Sequence, residues 1–270
     1  GPKDAVPEFS RGAWIAMLYS AGMGAGILLR AVQEPVFMQR NPPIQTSSDV
    51  EIIALEYTFY QWGFTAWAFY GLFALILGYY LYNRNTPVLL SSTLGDFSSS
   101  SRFIRFGKGS IDTLTIITTV FGLIGAIALG TTQINGGLNH IFDSTFGIGT
   151  TIGLVILISF LAFISVWSGM HKGIKMISSI NIWITLAILL FIFVQSDVLT
   201  VLSNFGKSLY QYILDFVPLS IAQAPFDPGK EFLTDWTYYY WAFWLAWAPF
   251  TGVFIARISK GRTLRELLIG

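Results

Sequence analysis

Long stretches without charge constrain this chain more than any other feature. A helix that crosses a bilayer needs about 20 mostly apolar residues. Asp, Glu, Lys and Arg are absent from six stretches that meet or nearly meet this length: 12–29, 57–83, 113–142, 144–171, 176–196 and 236–256. These stretches predict six transmembrane helices, at about 12–31, 58–82, 112–132, 149–168, 176–195 and 236–256.

Composition excludes several other classes of protein. Only 11% of the 270 residues are charged and 53% are hydrophobic, whereas a soluble domain carries about 25% charged residues. The net charge of +1 lacks the basic excess typical of nucleic-acid binding, so no nucleic-acid partner is expected. The chain has no cysteine and only two histidines, and no nucleophile–base pair or metal cluster lies beside the spans. We therefore expect a membrane protein that is not an enzyme.

Lysine and arginine in the loops predict the orientation of the spans. They concentrate in 83–111, 169–175 and the tail after 256, and are sparse in the alternate loops. Basic loops are retained on the cytoplasmic side, so both ends of the chain are expected in the cytoplasm of a cell (plasma or inner) membrane. Between the last two spans, apolar residues from Val201 to Val217 recur every three or four positions. This spacing predicts an amphipathic helix over about 200–217, either lying on the outer membrane surface or packed on the protein's own outer face.

Three glycines interrupt the first span, in the run from Gly22 to Gly26. Each weakens a helix by roughly 1 kcal/mol relative to alanine. Unwound backbone is tolerated at membrane depth only where it is buried in protein or lines a cavity, and its free carbonyls can bind a cation. Close helix packing through small residues is the alternative.

Aromatic residues mark the second and sixth spans. Trp62, Trp67 and Tyr70 fall within about 140° on one side of a helix at roughly 100° per residue. The sixth span carries Trp244 and Trp247 three residues apart. Facing rings can enclose a quaternary ammonium group by cation–π attraction. The alternative is an aromatic belt at the interface, but a belt lies at helix ends, and most of these rings lie well inside their spans.

These residues, with several further segments, resemble one family along nearly the whole chain: the betaine/carnitine/choline transporter family. The densest match runs from Asp235 through Trp247 to Thr263. The other segments that carry the resemblance are Gly22–Gly26, Glu34-Pro35, Trp62-Gly63, Trp67-Ala68, Leu129-Gly130, Gln133-Ile134-Asn135, Ser168-Gly169 and Lys172–Lys175.

The resemblance implies an all-α integral membrane protein with part of a LeuT-type core of two inverted repeats. The six transmembrane helices would be the third to eighth of twelve, and the amphipathic helix would be the one between the seventh and eighth. Residues 1–270 are then a single transmembrane transporter domain that is a fragment, in keeping with a start at Gly1 rather than Met. We expect the chain alone not to transport.

The resemblance also implies a substrate site. Trp62, Trp67, Tyr70 and Trp244 match the family's cage for a trimethylammonium group. Met23 and Gly24 match the unwound stretch beside the substrate carboxylate. Trp247 matches a ring on the cytoplasmic exit path. The expected activity is uptake of a quaternary-ammonium solute by alternating access in a lipid bilayer, as a possible homotrimer. Glycine betaine, choline and carnitine all present a methylated cation, so the solute stays open.

Sodium is the expected coupling ion, with no other cofactor. Ser20 and Met23 match carbonyl ligands of one sodium site, and Thr119 and Phe250 match positions of a second. Leu123 replaces a threonine that sodium-coupled members carry, which leaves open a proton-coupled or sodium-independent exchanger, or a non-transporting remnant.

Arginine at position 30 also departs from the family, which usually has a tryptophan there. An ionisable residue near a span is a functional hypothesis by default. Arg30 either pairs with Glu34, or attracts an anionic group of the substrate, or extends to the outer interface as long basic side chains often do.

Overall fold

A computed structural model describes residues 5–22, 25–45, 49–94 and 101–269. Within these ranges the chain forms helices joined by short connections, with no strand, so the fold is all-α as predicted. The α-helices are α1 Arg11–Gly22, α2 Ala25–Arg40, α3 Val50–Trp62, α4 Phe64–Asn83, α5 Arg102–Phe142, α6 Ile148–Trp167, α7 Lys175–Gln195, α8 Val198–Ser220, α9 Gly229–Phe232, α10 Tyr239–Ile258 and α11 Leu264–Ile269. A 3-10 turn spans Leu90–Leu94, and π-helical turns span Met170–Ile174 and Leu233–Tyr238.

Among the described residues, five helical stretches are long and apolar enough to cross a membrane. They are Val50–Asn83, Arg102–Phe142, Ile148–Trp167, Lys172–Gln195 and Gly229–Ile258, and they correspond to the second to sixth predicted spans. In the second of these stretches only 6% of the most apolar window is buried within the chain. Apolar surface of that extent is compatible with lipid as the surrounding solvent. The first predicted span, 12–31, covers nearly all of α1 and the first part of α2. Its predicted break at Met23 and Gly24 lies outside the described residues.

Helix boundaries agree best for α6 and α7. Helices α6 and α7 begin and end within one residue of the prediction. Helix α5 is longer than predicted, since it runs for 41 residues where 112–132 was expected. The absence of charge locates the apolar part of a helix, whereas backbone hydrogen bonding continues through polar residues. Arg102, Arg105 and Lys108 therefore lie on the helix and not in a loop.

The predicted amphipathic helix is α8, and its first residue is set by a cap. The Asp197 carboxylate accepts hydrogen bonds from the backbone N–H groups of Leu199 and Thr200, which satisfies donors that a helix start leaves free. The hydroxyl and the backbone N–H of Thr200 hold the pKa of Asp197 below its usual value. This cap starts α8 two residues before the predicted position.

The described residues divide into two compact units. The first unit is drawn from 1–26, 69–182 and 245–270, and the second comprises Ile27–Ala68 and Trp183–Trp244. In the first unit the segments before α1 and after α10 are tied together. The Arg262 guanidinium lies 4.2 Å from the centre of a Trp14 ring and donates to the carbonyl of Phe9 at 2.9 Å. The Trp14 indole in turn donates to the Ser259 hydroxyl at 2.9 Å.

The core of the second unit lies between α3 and α8. Ile53, Tyr57 and Tyr60 from α3 are buried with Tyr212 and Leu219 from α8. Another face of α8 leaves large apolar side chains exposed, among them Ile213, Leu214 and Val217. One face of α8 thus packs on protein, and an apolar face is uncovered among the described residues. Its place on the outer membrane surface stays a prediction.

Candidate functional site

A break between two helices sets the position of Trp62. Helix α3 ends at Trp62, and α4 begins at Phe64. The Phe64 backbone N–H donates to the Tyr212 hydroxyl at 2.7 Å, and the Gly63 N–H donates to the Phe59 carbonyl at 2.7 Å. A β-carbon at position 63 would lie 2.6 Å from both the Phe59 oxygen and the Tyr212 hydroxyl. Any larger residue would force Tyr212 and the α3 backbone to shift, so the break and the placement of Trp62 depend on this glycine.

Trp62 contacts two rings at the start of α10, in the C-terminal segment of the second unit. Its ring centre lies 5.0 Å from that of Trp244, with 72° between the planes, and 5.3 Å from that of Tyr240. Tyr240 and Trp244 stack at 5.7 Å and 20°. We call Trp62, Tyr240 and Trp244 the ring cluster. Two of the four predicted cage residues, Trp62 and Trp244, are thus in direct contact.

A buried carboxylate holds the polar edges of this cluster. Glu34 on α2 is 0% exposed. It accepts hydrogen bonds from the Trp62 indole at 2.8 Å and from the Tyr240 hydroxyl. The Arg30 Nε atom lies 3.8 Å from a Glu34 oxygen, so of the interpretations of Arg30, pairing with Glu34 is the one that the geometry favours. The Trp244 indole donates to the Gln61 carbonyl at 3.1 Å.

The ring cluster stays a predicted site for a cation without a hydration shell. A cation is attracted to an aromatic face when it lies within about 6 Å of the ring centre. Because Trp62 and Trp244 touch at a steep angle, no methylated ammonium group fits between them. A cation would instead lie in the angle that their faces make. Indole and phenol groups buried in this way need hydrogen-bond partners, and Glu34 and Gln61 provide them.

The remaining predicted substrate residues are distributed over both units. Trp67 belongs to the second unit and is 41% exposed. Tyr70 and Trp247 belong to the first unit, where Tyr70 is buried. Trp247 lies against Gly122, at which a β-carbon would be 3.1 Å from the indole. Met23 and Gly24 lie outside the described residues, so their expected role beside a substrate carboxylate stays a prediction.

The predicted sodium ligands that the structure describes all lie in the first unit. The Ser20 hydroxyl accepts from the Asn181 amide at 3.4 Å. The Thr119 hydroxyl donates to the Thr115 carbonyl at 2.7 Å, which leaves its oxygen lone pairs as possible ligands. The Phe250 ring lies 5.7 Å from Trp247. Met23, expected at the first sodium site, falls outside the described residues, and both sodium sites stay predictions.

The sequence analysis did not predict Tyr240 as a member of the cluster. It used a spacing of three residues along the sixth span, whereas the rings that contact one another are four residues apart. Ring centres are 5.9 Å apart from Phe232 to Trp236, 6.5 Å from Trp236 to Tyr240 and 5.7 Å from Tyr240 to Trp244. Residues four apart lie on the same helical face, so a search at that spacing finds Tyr240.

Comparisons with known proteins agree with this architecture. The family model described as BCCT, betaine/carnitine/choline family transporter, matches residues 1–270. The glycine betaine transporter OpuD of Bacillus subtilis (strain 168) is 39% identical over 274 residues, covering 100% of this chain and 53% of OpuD. The high-affinity choline transport protein of Escherichia coli (strain K12) is 34% identical over 279 residues, covering 100% of this chain and 40% of that protein.

A third relative is the probable glycine betaine transporter of Desulfitobacterium hafniense (strain Y51). It is 35% identical over 271 residues, covering 99% of this chain and 53% of the relative. The chain thus spans about half or less of the length of these curated relatives. The matched family is one of transporters and not of enzymes, and with the long apolar helices it shows a multi-pass membrane protein. The chain belongs to the betaine/carnitine/choline family of transporters.

Proposed function

We propose that the chain forms the substrate-binding part of a secondary active transporter that takes up a quaternary-ammonium compatible solute, of the glycine betaine, choline or carnitine type. The contact between Trp62 and Trp244 carries the proposal, because two desolvated ring faces at an angle suit a methylated cation. The names of the relatives, which are glycine betaine and choline transporters, support the same substrate class.

The proposed mechanism is alternating access to one site near the middle of the membrane. In it, Trp62 and Trp244 bind and orient the trimethylammonium group, with Trp67 and Tyr70 as further walls of the cage. Met23 and Gly24 present backbone to an anionic end of the solute, and Trp247 lies on the cytoplasmic exit path. Both ends of the chain face the cytoplasm, and the assembled transporter is a homotrimer.

A chimaera tests the uptake. The 270 residues replace the matched region of OpuD, and labelled glycine betaine uptake is measured in cells without their own transporters. We expect saturable uptake that unlabelled choline or carnitine reduces, and loss of uptake in the same chimaera with Trp244→Ala. The 270-residue chain expressed alone is expected to bind the solute and not to accumulate it. A chimaera that reaches the membrane and takes up nothing, beside active OpuD, would contradict the proposal.

Sodium is the proposed coupling ion, with Ser20, Met23, Thr119 and Phe250 as tentative ligand positions. An ion that binds with the substrate raises substrate affinity, and the substrate raises the affinity for the ion by the same factor. Replacing sodium by potassium in the uptake assay is therefore expected to lower uptake at low solute concentration by roughly tenfold, a coupling of about 1.4 kcal/mol.

One observation favours a different coupling mode. Leu123, which is half-exposed on α5, brings no hydroxyl where sodium-coupled members have one. The matched variant Leu123→Thr restores that hydroxyl and is expected to steepen the dependence of uptake on sodium. Uptake that is undiminished in potassium would instead support proton coupling or sodium-independent exchange.

A further inference from the structure

We propose that Glu34 is a positioning residue of the ring cluster, which fixes Trp62 and Tyr240 and makes their faces more attractive to a cation. The ligand in this inference rests on the proposed function. The positioning itself rests only on contacts within the second unit. Ligand binding and ring positioning are measured by separate experiments.

Glu34 lies on α2, Trp62 ends α3, and Tyr240 lies near the start of α10, so one carboxylate joins three separate helices. Hydrogen bonds to an ionised acceptor are roughly twice as strong as neutral ones. Trp62 is 28 residues from Glu34 along the chain and Tyr240 is 206 residues away. Removal of the carboxylate would free both rings at once.

The Glu34 carboxylate also acts on the two rings electrostatically. Cation–π attraction comes from the negative potential over the ring face. An indole N–H or a phenol O–H that donates to an anion is polarised, because hydrogen bonds in a low-dielectric interior polarise their partners. Electron density shifts from the donor group onto the ring, so the faces of Trp62 and Tyr240 become more negative. Glu34 thereby acts on a bound cation through the two rings, without contacting it.

Arg30 completes the arrangement. It lies one helical turn before Glu34, with its side chain 31% exposed and its Nε atom 3.8 Å from the carboxylate. A carboxylate that is buried without a partner is strongly unfavourable. Arg30 balances that charge at the edge of the cluster, while the two ring donors occupy the other directions. The Glu34 carboxylate is therefore engaged by Arg30, Trp62 and Tyr240 together.

The test compares a cation with its neutral isostere. The purified 270-residue chain in detergent is titrated by tryptophan fluorescence with choline and with 3,3-dimethylbutan-1-ol, in which carbon replaces the ammonium nitrogen. Glu34→Gln keeps the size of the side chain and removes its charge. We expect the Kd for choline to rise about fivefold, in line with about 1 kcal/mol of cation–π energy, and the Kd for the alcohol to stay within about twofold of its original value.

Glu51→Gln is the matched control. Glu51 is an exposed acid of the same unit that accepts from Gln39 and Asn204, and its substitution is expected to leave both constants unchanged. The proposal is overturned if Glu34→Gln leaves choline binding unaltered, or weakens binding of the alcohol as much as binding of choline.

Near-ultraviolet circular dichroism of the unliganded chain tests the positioning separately. The packed indoles of Trp62 and Trp244 contribute a signal that depends on their mutual orientation, and Glu34→Ala is expected to reduce it while the far-ultraviolet helix signal is kept. An unchanged near-ultraviolet spectrum would overturn the positioning role. If the unaltered chain binds neither ligand, the proposed function fails, and this spectrum still decides whether Glu34 positions the rings.

Discussion

Trp244→Ala is expected to raise the Kd for a quaternary-ammonium solute by roughly 30-fold. A desolvated cation–π contact is worth about 2 kcal/mol, and each 1.4 kcal/mol is about a factor of ten in affinity. Trp244 is buried and contacts both other rings of the cluster, so its removal takes away one face and loosens the support of another. Isothermal titration calorimetry of the purified chain with choline measures the change in Kd.

Two further variants separate the ring face from its polar edge. Trp244→Phe keeps an aromatic face and loses the hydrogen bond to the Gln61 carbonyl, so a smaller loss of affinity, about fivefold, is expected. Trp183→Ala removes a tryptophan that is 71% exposed on α7 and should leave the Kd unaltered. Equal affinities for Trp244→Ala and the unaltered chain would refute a cage that includes this ring.

Trp62→Ala is expected to raise the same Kd by more than tenfold, again from loss of about 2 kcal/mol of cation–π energy. It differs from Trp244→Ala because it also removes one hydrogen-bond donor from the buried Glu34 carboxylate. An acceptor left unsatisfied in the interior costs about 1–3 kcal/mol. Trp62→Ala should therefore lose thermal stability as well as affinity. Trp62→Phe keeps an aromatic face but no hydrogen-bond donor, so it should lose less affinity than Trp62→Ala and a similar amount of thermal stability.

The sequence predicted features that repeat along one helix better than features that join distant helices. The uncharged stretch 176–196 locates α7 to within a residue because Lys175 and Asp197 lie at its two ends. The stretch 113–142 places the start of α5 poorly because the polar residues from Arg102 to Asp112 are helical too. Tyr240 could have been predicted from the sequence, since it precedes Trp244 by one helical turn. That Tyr240 and Trp62 share one carboxylate depends on a contact across 206 residues, which no periodicity reports.

The pairing of Arg30 illustrates how structure decides between local interpretations. An arginine near a membrane span can extend to the interface or pair with an acid one turn away, and sequence spacing permits both. The buried Glu34 makes pairing the favoured outcome, because a carboxylate removed from water needs a compensating charge or donors. The burial of that acid depends on Trp62 and Tyr240, which lie far from it along the chain.

Gly63→Ala is expected to destabilise the second unit by about 2 kcal/mol, the usual cost of overpacking. A β-carbon there would lie 2.6 Å from the Phe59 carbonyl oxygen and 2.6 Å from the Tyr212 hydroxyl. The side chain of Tyr212 can move, but the Phe59 oxygen belongs to the backbone of α3 and accepts the Gly63 N–H. Thermal unfolding of the detergent-solubilised chain, followed by far-ultraviolet circular dichroism, measures the loss.

Gly71→Ala is the matched control for this variant. A β-carbon at Gly71 on α4 meets nothing within 4 Å, and exchange of glycine for alanine inside a helix is worth up to about 1 kcal/mol in favour of alanine. Gly71→Ala should therefore be neutral or stabilising, and equal effects at the two positions would show that the close approach at Gly63 is not limiting.

A double variant separates the two clashes at Gly63. If the Tyr212 hydroxyl were the main obstacle, Tyr212→Phe would restore stability to Gly63→Ala. Since the Phe59 oxygen stays in place, and since Tyr212→Phe leaves the Phe64 N–H without its acceptor, we expect no rescue. Gly63 also forms the break that positions Trp62, so Gly63→Ala should weaken choline binding even at temperatures where the chain remains folded. Loss of stability with unchanged binding would mean that Trp62 is held by Glu34 alone.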